Sequence, residues 1–204
     1  MGSAGPEPAR IVVAATPGLL AGLTPHPQLD RFRDPAGQLE ALVSIADDPP
    51  GTVTALVRGN ELLGYVAFHP PTEIESWGFD RTGQILELGA IEVAPTERGQ
   101  RWAERLLAAS FEGGRFDHTV VFATLYSWHY DLARSGLGDL AYRRMLERLY
   151  GSAGLELFAT TDEEIRSSPA NALMARVGPN APTEVVAEFH RLRGLLPGAP
   201  AAAW

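Results

Sequence analysis

The chain contains neither cysteine nor lysine in its 204 residues. Without thiols it can form no disulfide, no CxxC redox or zinc centre, and no acyl-enzyme through sulfur. All 17 basic residues are arginine, a bias that with the abundant Ala, Gly and Pro fits a GC-rich genome. It also leaves no lysine side chain that acyl transfer could modify. A net charge of −8 opposes nucleic acid and anionic membranes, whose binding rests on clustered basic groups, so neither is expected as a partner. No apolar run approaches the ~20 residues of a membrane helix, and the opening MGSAGPEPAR lacks the apolar core of a signal peptide, so a cytoplasmic protein is expected. His26, His69, His118, His129 and His190 are scattered with no HxxxH spacing, and no metal is expected. Ser167 and Ser168 have no GxSxG setting and read as caps, not nucleophiles.

Length and a hydrophobic content of 45% suit one core, a single domain over 10–196 between loose tails at 1–9 and 197–204. Residues 11–20 read as a first strand. Asp34-Pro35 opens a helix with Leu39, Leu42, Val43 and Ile45 on one side, closed by the breakers of 47–51. Segments 52–58 and 61–69 flank the turn signal Gly59-Asn60 as a β-hairpin. Residues 70–83, with Trp77 and Phe79, form a polar connection long enough to cover part of a binding surface. A central strand over 85–93, with Gly89 a candidate bulge, precedes a helix over 99–112. A strand at 118–126, a helix over 137–150 striped by Leu140, Met145, Leu146 and Leu149, and a strand at 155–160 follow. Ser168, Pro169 and Gly178 predict a short helix over 169–177. A last helix runs over 183–195 with Val185, Val186, Phe189 and Leu192 inward. The alternation of strands and helices indicates a mixed α/β fold.

The most informative stretch is ILELGAIEVAPTERGQRWAERLLAAS, residues 85–110. A buried strand and a turn containing Pro95 lead to Arg98-Gly99, which open an amphipathic helix. First-turn N–H groups lack acceptors within a helix, and the aligned peptide dipoles add partial positive charge there, so phosphate is favoured. Arg98, Arg101 and Arg105 would share one face if the helix starts near Gly99. The GxxxxGK[ST] loop is excluded for want of lysine, and RGQRWA does not supply GxGxxG. A nucleotide-like ligand is indicated.

The same stretch resembles the acetyl-CoA motif of the GNAT acetyltransferases, a strand ending V-x-P followed by R-G-x-G-x-G/A. Val93, Pro95, Arg98, Gly99 and Ala103 match. Arg101 replaces the middle glycine, whose bare backbone lets a phosphate come close; an arginine fits there if its φ is helical. LELGAIEVAPTERG, the run Tyr126-Ser127-Trp128-His129-Tyr130-Asp131-Leu132, Tyr142-Arg143-Arg144 and LELFATTDEEIRSSPANALMARVG extend the similarity, over most of 51–193, to the acetoin-utilisation (AcuA) acetyltransferases. The resemblance implies a mixed, mostly antiparallel central sheet flanked by helices, with an extra C-terminal helical segment and a strand, not a helix, at 169–177. It implies acetyl-CoA as acyl donor, held by Ile91, Val93, Arg98, Gly99, Gln100, Arg101, Trp102 and Ala103. It implies as partner a protein substrate, AMP-forming acetyl-CoA synthetase, inactivated by acetylation of a lysine.

A lysine ammonium, with a pKa of ~10.4, must lose a proton before it attacks a thioester. Glu87, six residues before Val93, stands where the resemblance places a general base; an arginine partner is the other role for such a carboxylate. Strand parity puts Glu87, Gly89, Ile91 and Val93 on one face and Glu92 on the other. The resemblance implies a tyrosine that stabilises the departing thiolate, for which Tyr142 and Tyr150 are both candidates; a core tyrosine is the other role for either. Tyr126, Trp128, His129 and Asp131 either line a substrate groove or plug the core, and Asn171 joins them on the resemblance alone. Acetylation of a small amine, and a non-catalytic acyl-CoA-sensing inhibitor that docks on the synthetase, stand as alternatives.

Overall fold

Side chains at segment starts fix much of the local structure. The computed structural model describes residues 7–72 and 76–194; the expected tails at 1–9 and 197–204 lie largely outside these residues. The chain divides into two compact units, one made of Met1–Phe68 with Ala90–Ser110, the other of His69–Gly89 with Phe111–Trp204.

In the first unit, β1 spans only Arg10–Val12. The strand expected over 11–20 gives way to a short helix, α1 (Pro17–Ala21), because the Thr16 hydroxyl accepts from the Leu19 N–H and Pro17 suits a first helical turn. After the two-residue β2 (Thr24–Pro25), α2 (Pro35–Asp47) starts as expected, capped by Asp34, which accepts from the Gly37 N–H. The hairpin β3 (Thr52–Arg58) and β4 (Glu61–His69) forms at the bounds the sequence indicated. β1 lies antiparallel to β3, and β2 runs parallel to β4. Leu20, Leu42, Val53, Ala55, Leu62 and Tyr65 belong to the core of this unit. The strand β5 (Ile85–Val93) enters it through its second half, and α3 (Trp102–Phe111) follows.

In the second unit, Ile85–Glu87 of β5 pairs in parallel with β6 (Val120–Leu125). Then come α4 (Leu132–Ser135), α5 (Asp139–Gly151), β7 (Glu156–Phe158), α6 (Glu163–Arg166), β8 (Ala172–Val177) and α7 (Thr183–Leu192). β8 corrects the helix predicted for 169–177. It is paired antiparallel with β6 on one side and β7 on the other, and its first four residues are buried. Two ladders of hydrogen bonds outweigh local helix signals. The Ser168 hydroxyl accepts from Ala170 N–H in a tight turn instead of capping a helix. Along the hydrogen-bonded strands the order is β1-β3-β4-β5-β6-β8-β7, mixed and mostly antiparallel, as the resemblance implied.

One apolar assignment also changes. Leu140, expected in the inner stripe of α5, is 47% exposed, while Tyr150 is buried. Within the 70–83 connection, Trp77 is 1% exposed, with ring centroids 4.3 Å from Phe122 and 5.8 Å from Phe189. α7 ends at Leu192, and Leu195 lies outside the described residues. No helix among the described residues is long and apolar enough to cross a membrane, and no group of three or more His, Asp or Glu among them could hold a metal ion.

Truncating a stacked, fully buried indole removes both apolar burial and packing. Trp77→Ala is expected to lower stability by about 3–5 kcal/mol, measured as a shift in the urea midpoint; a change below ~1 kcal/mol would show that Trp77 is not a core residue.

Candidate active site

The turn between β5 and α3 is built around Glu97. After Val93, the Ala94 N–H donates to the Leu63 carbonyl at 2.8 Å, and Pro95–Glu97 form a single 3-10 turn. Glu97 is 6% exposed and takes two hydrogen bonds from Arg58, at 2.9 and 2.8 Å. Those bonds, with the guanidinium charge, hold its carboxyl below the usual carboxylate range against the opposing effect of burial. The Gln100 amide donates to the same carboxylate at 3.4 Å.

α3 begins at Trp102, not near Gly99, so Arg98 and Arg101 precede the helix and do not stack along its face with Arg105. Gly99 has φ +83°, and a Cβ added there would meet nothing within 4 Å, so one face of that backbone is open. Arg101 has φ +56°, left-handed and not the helical value an arginine would need to sit there without strain. Its carbonyl accepts the Arg105 N–H at 3.0 Å, closing the first turn of α3, and its Nε donates to Glu104 at 2.6 Å. The Arg105 guanidinium lies 3.7 Å from the centroid of the Trp102 ring, and the buried Trp102 indole N–H has no acceptor among the described residues. Ile91, Val93 and Ala103 are half-buried, whereas Arg98, Gly99 and Gln100 are exposed. Open backbone at Gly99, an orphaned indole donor, exposed arginines and a helix start fit an anionic diphosphate.

Glu92, which sequence parity placed on the opposite face of β5 from Glu87, has a structural task. Its carboxylate accepts from the Tyr65 hydroxyl at 2.8 Å and from the Arg31 N–H at 3.0 Å. Burial raises its pKa and, as the largest cause, raises that of the Tyr65 phenol too. A carboxylate between two apolar strand residues was the available signal for this pairing.

In the second unit the structure brings together Glu87, Tyr130, Tyr142 and Tyr150. Glu87 is half-buried on β5, opposite Phe122 in the β6 register. Burial pushes the Tyr150 phenol above its usual range, and the charges of Tyr142, Tyr130 and Glu87 act in the same direction. Tyr142 stacks on Tyr130 with centroids 4.6 Å apart, and the Tyr130 hydroxyl donates to the Ala170 carbonyl at 2.6 Å.

Tyr126 and Trp128 stack at 4.4 Å with His129 edge-on to both, and Trp128 is 52% exposed. This cluster is therefore partly on the surface. Asp131 caps α4 by accepting from the Arg134 N–H. Asn171 is 3% exposed, with both ends of its amide committed inward: Oδ1 accepts from Ser127 N–H at 2.9 Å, and Nδ2 donates to the Glu164 carbonyl at 3.0 Å. Its geometry is that of a brace.

Residues 22–125 match the model of the Acetyltransferase (GNAT) family. The chain is 40% identical over 178 residues to the acetoin utilization protein AcuA of Bacillus subtilis, covering 87% of this chain and 85% of that protein. It is 38% identical to the protein of the same name from Bacillus licheniformis over the same shares. The crystal structure of an acetoin utilization protein from Exiguobacterium sibiricum superposes with a TM-score of 0.88 at 43% identity, covering 91% of this chain and 88% of that one.

Two outcomes follow from the turn. Because the Glu97 pKa is lowered in the fold, its pairing stabilises fully above the unfolded carboxylate value, ~4.3, and that contribution is lost as pH falls through the lower folded value. Glu97→Gln should cost about 2 kcal/mol at pH 7, with the difference from the parent protein shrinking in thermal melts below pH ~4. Arg101→Gly removes a left-handed arginine, and a gain of about 1 kcal/mol is expected; a destabilised variant would show that the Arg101–Glu104 pairing outweighs the strain.

Proposed function

The chain belongs to the GNAT acetyltransferase family, among the relatives of AcuA, and from that premise we propose that it moves acetyl from acetyl-CoA to a lysine of a protein, AMP-forming acetyl-CoA synthetase, and so inactivates it. The similarity at 126–132 and 155–178, outside the general acetyl-CoA motif, favours a protein over a small amine as acceptor. What supports the chemistry is a half-buried carboxylate, Glu87, on β5 beside β6, in the same unit as the buried Tyr150 phenol.

In this reading the β5–α3 turn holds the diphosphate of the acyl donor, and the Val93 main chain hydrogen-bonds its pantetheine arm or thioester. Glu87 takes one proton from the incoming ammonium, directly or through water. The free amine then forms the new C–N bond as the C–S bond breaks, with no acetyl-enzyme intermediate, and the second proton left on the nitrogen passes through water to solvent or to the departing thiolate. Tyr150, kept protonated by its raised pKa, donates a hydrogen bond to the departing sulfur. A phenol less acidic than a thiol, whose pKa is ~8.5 for cysteine, stabilises a thiolate this way better than by full proton transfer. Tyr142, stacked on Tyr130, is the other candidate for this role.

Glu87→Gln is expected to lower kcat about a hundredfold and to flatten the rise of rate with pH; an unchanged pH–rate profile removes Glu87 as base. Incubating purified acetyl-CoA synthetase with this protein and acetyl-CoA should add the mass of one acetyl group to a lysine-containing peptide of the synthetase. Inhibition without that mass would assign a docking inhibitor, and acetylation confined to small amines would assign the other acceptor class.

A further inference from the structure

We propose that His69 is the relay by which the second proton leaves the acetyl-transfer site. The inference rests on the acetyl transfer proposed above and completes its proton balance: a carboxylate that has taken one proton from the ammonium is neutral and cannot take the next. His69 ends β4 and Gly89 lies in β5, both in the same unit as Glu87. The imidazole ring occupies the place that a side chain at position 89 would fill. A Cβ added to Gly89 would overlap His69 Nε2, its nearest neighbour, with Cδ2 at 2.9 Å and Cε1 at 3.1 Å.

The glycine makes room for that ring. Its φ lies outside the left-handed region, so the backbone does not demand glycine there, and glycine inside a strand weakens it. Space is what it supplies. Residues two apart on a strand share a face, with about 7 Å between them. Burial follows that alternation: Leu86 and Leu88 are 3% exposed, whereas Glu87 is half-buried and Gly89 exposed. Nε2, standing over Gly89, is therefore the neighbour of the Glu87 side chain on the open face of β5, within the reach of a bridging water.

Hydrogen bonding sets the ring for this task. Nδ1 lies 2.7 Å from the Pro70 carbonyl oxygen, an atom that can only accept, so Nδ1 carries the proton of the neutral ring and the Nε2 lone pair is left to take another. Imidazole takes up and returns a proton near neutral pH. Once the amine has bonded to the acetyl carbon, the nitrogen carries one proton more than the amide keeps. That proton passes to Nε2, directly or through water, as the C–S bond breaks and the sulfur leaves with the electron pair. The imidazolium returns it from Nε2 to solvent, which the half-buried ring still meets, while the Nδ1 proton stays on the Pro70 carbonyl.

The test follows CoA thiol released from acetyl-CoA by the full chain, with purified acetyl-CoA synthetase and with a panel of small amines as acceptors. H69N keeps a donor for the Pro70 carbonyl but has no base at the Nε2 position, and it is expected to lower kcat about a hundredfold with KM for acetyl-CoA unchanged within about twofold. H69A should be as slow, and free imidazole should restore its rate saturably by entering the space beside Gly89, with no effect on E87Q. Melting curves verify that each variant is folded, and rescue by imidazole separates proton transfer from a packing role. H69N as fast as the parent protein, or a loss that imidazole does not relieve, would overturn the relay and leave the proposed function standing. A slow H69N and imidazole rescue seen with small amines alone would support the relay and sink the protein acceptor. A parent protein that transfers acetyl to no amine would sink both.

Discussion

The Arg58–Glu97 pair is the tether on which the turn between β5 and α3 depends. Two parallel hydrogen bonds join the end of β3 to a nearly buried carboxylate, a geometry that fixes direction as well as distance. Beyond Glu97 the backbone must pass through left-handed conformations at Gly99 and Arg101 before α3 begins. Strain of this kind persists only where the surroundings over-determine it. Arg58 holds the turn from one side. From the other, α3 is anchored by buried Leu106 and Leu107 and by the Ser110 hydroxyl, which donates to Thr54 at 2.9 Å. Residues of β3 thus fix both ends of the β5–α3 turn.

In the second unit several polar side chains hold a single turn. Asn171, Tyr130 and Arg143 use their polar groups on backbone: Asn171 on Ser127 and Glu164, Tyr130 on Ala170, and Arg143 on the Pro169 carbonyl. All three converge on the 168–171 turn that leads into β8. Burial raises the Tyr150 phenol above its usual range, because a low dielectric disfavours its charged form.

Local patterning announced elements whose stabilising contacts are themselves local. The β3–β4 hairpin around Gly59-Asn60 and the Asp34-Pro35 start of α2 appear at their expected bounds, because turn and cap chemistry acts over a few residues. The candidate site was legible in part. The β5 strand and the turn after it were visible in V-A-P and R-G, and the aromatic cluster in its density. The roles of Asn171 and Asp131 were not, since an amide or carboxylate looks the same in sequence whether it meets a substrate, caps a helix or braces a loop. The helix α6 was not legible either, being too short to leave a periodic signal.

The sequence by itself determined the chemistry this protein lacks, with no thiol and no lysine of its own, and it determined the strand–turn–helix order that suits a diphosphate. Tertiary structure decided that 172–177 is a strand, because pairing on both edges with β6 and β7 outweighs a local preference for helix. It placed Trp77 in the core, because the space beside Phe122 and Phe189 is filled only by a residue distant in sequence. It also set Arg101 in a left-handed conformation that no arginine would choose in isolation, because the positions of Glu97 and α3 leave the chain between them little other path.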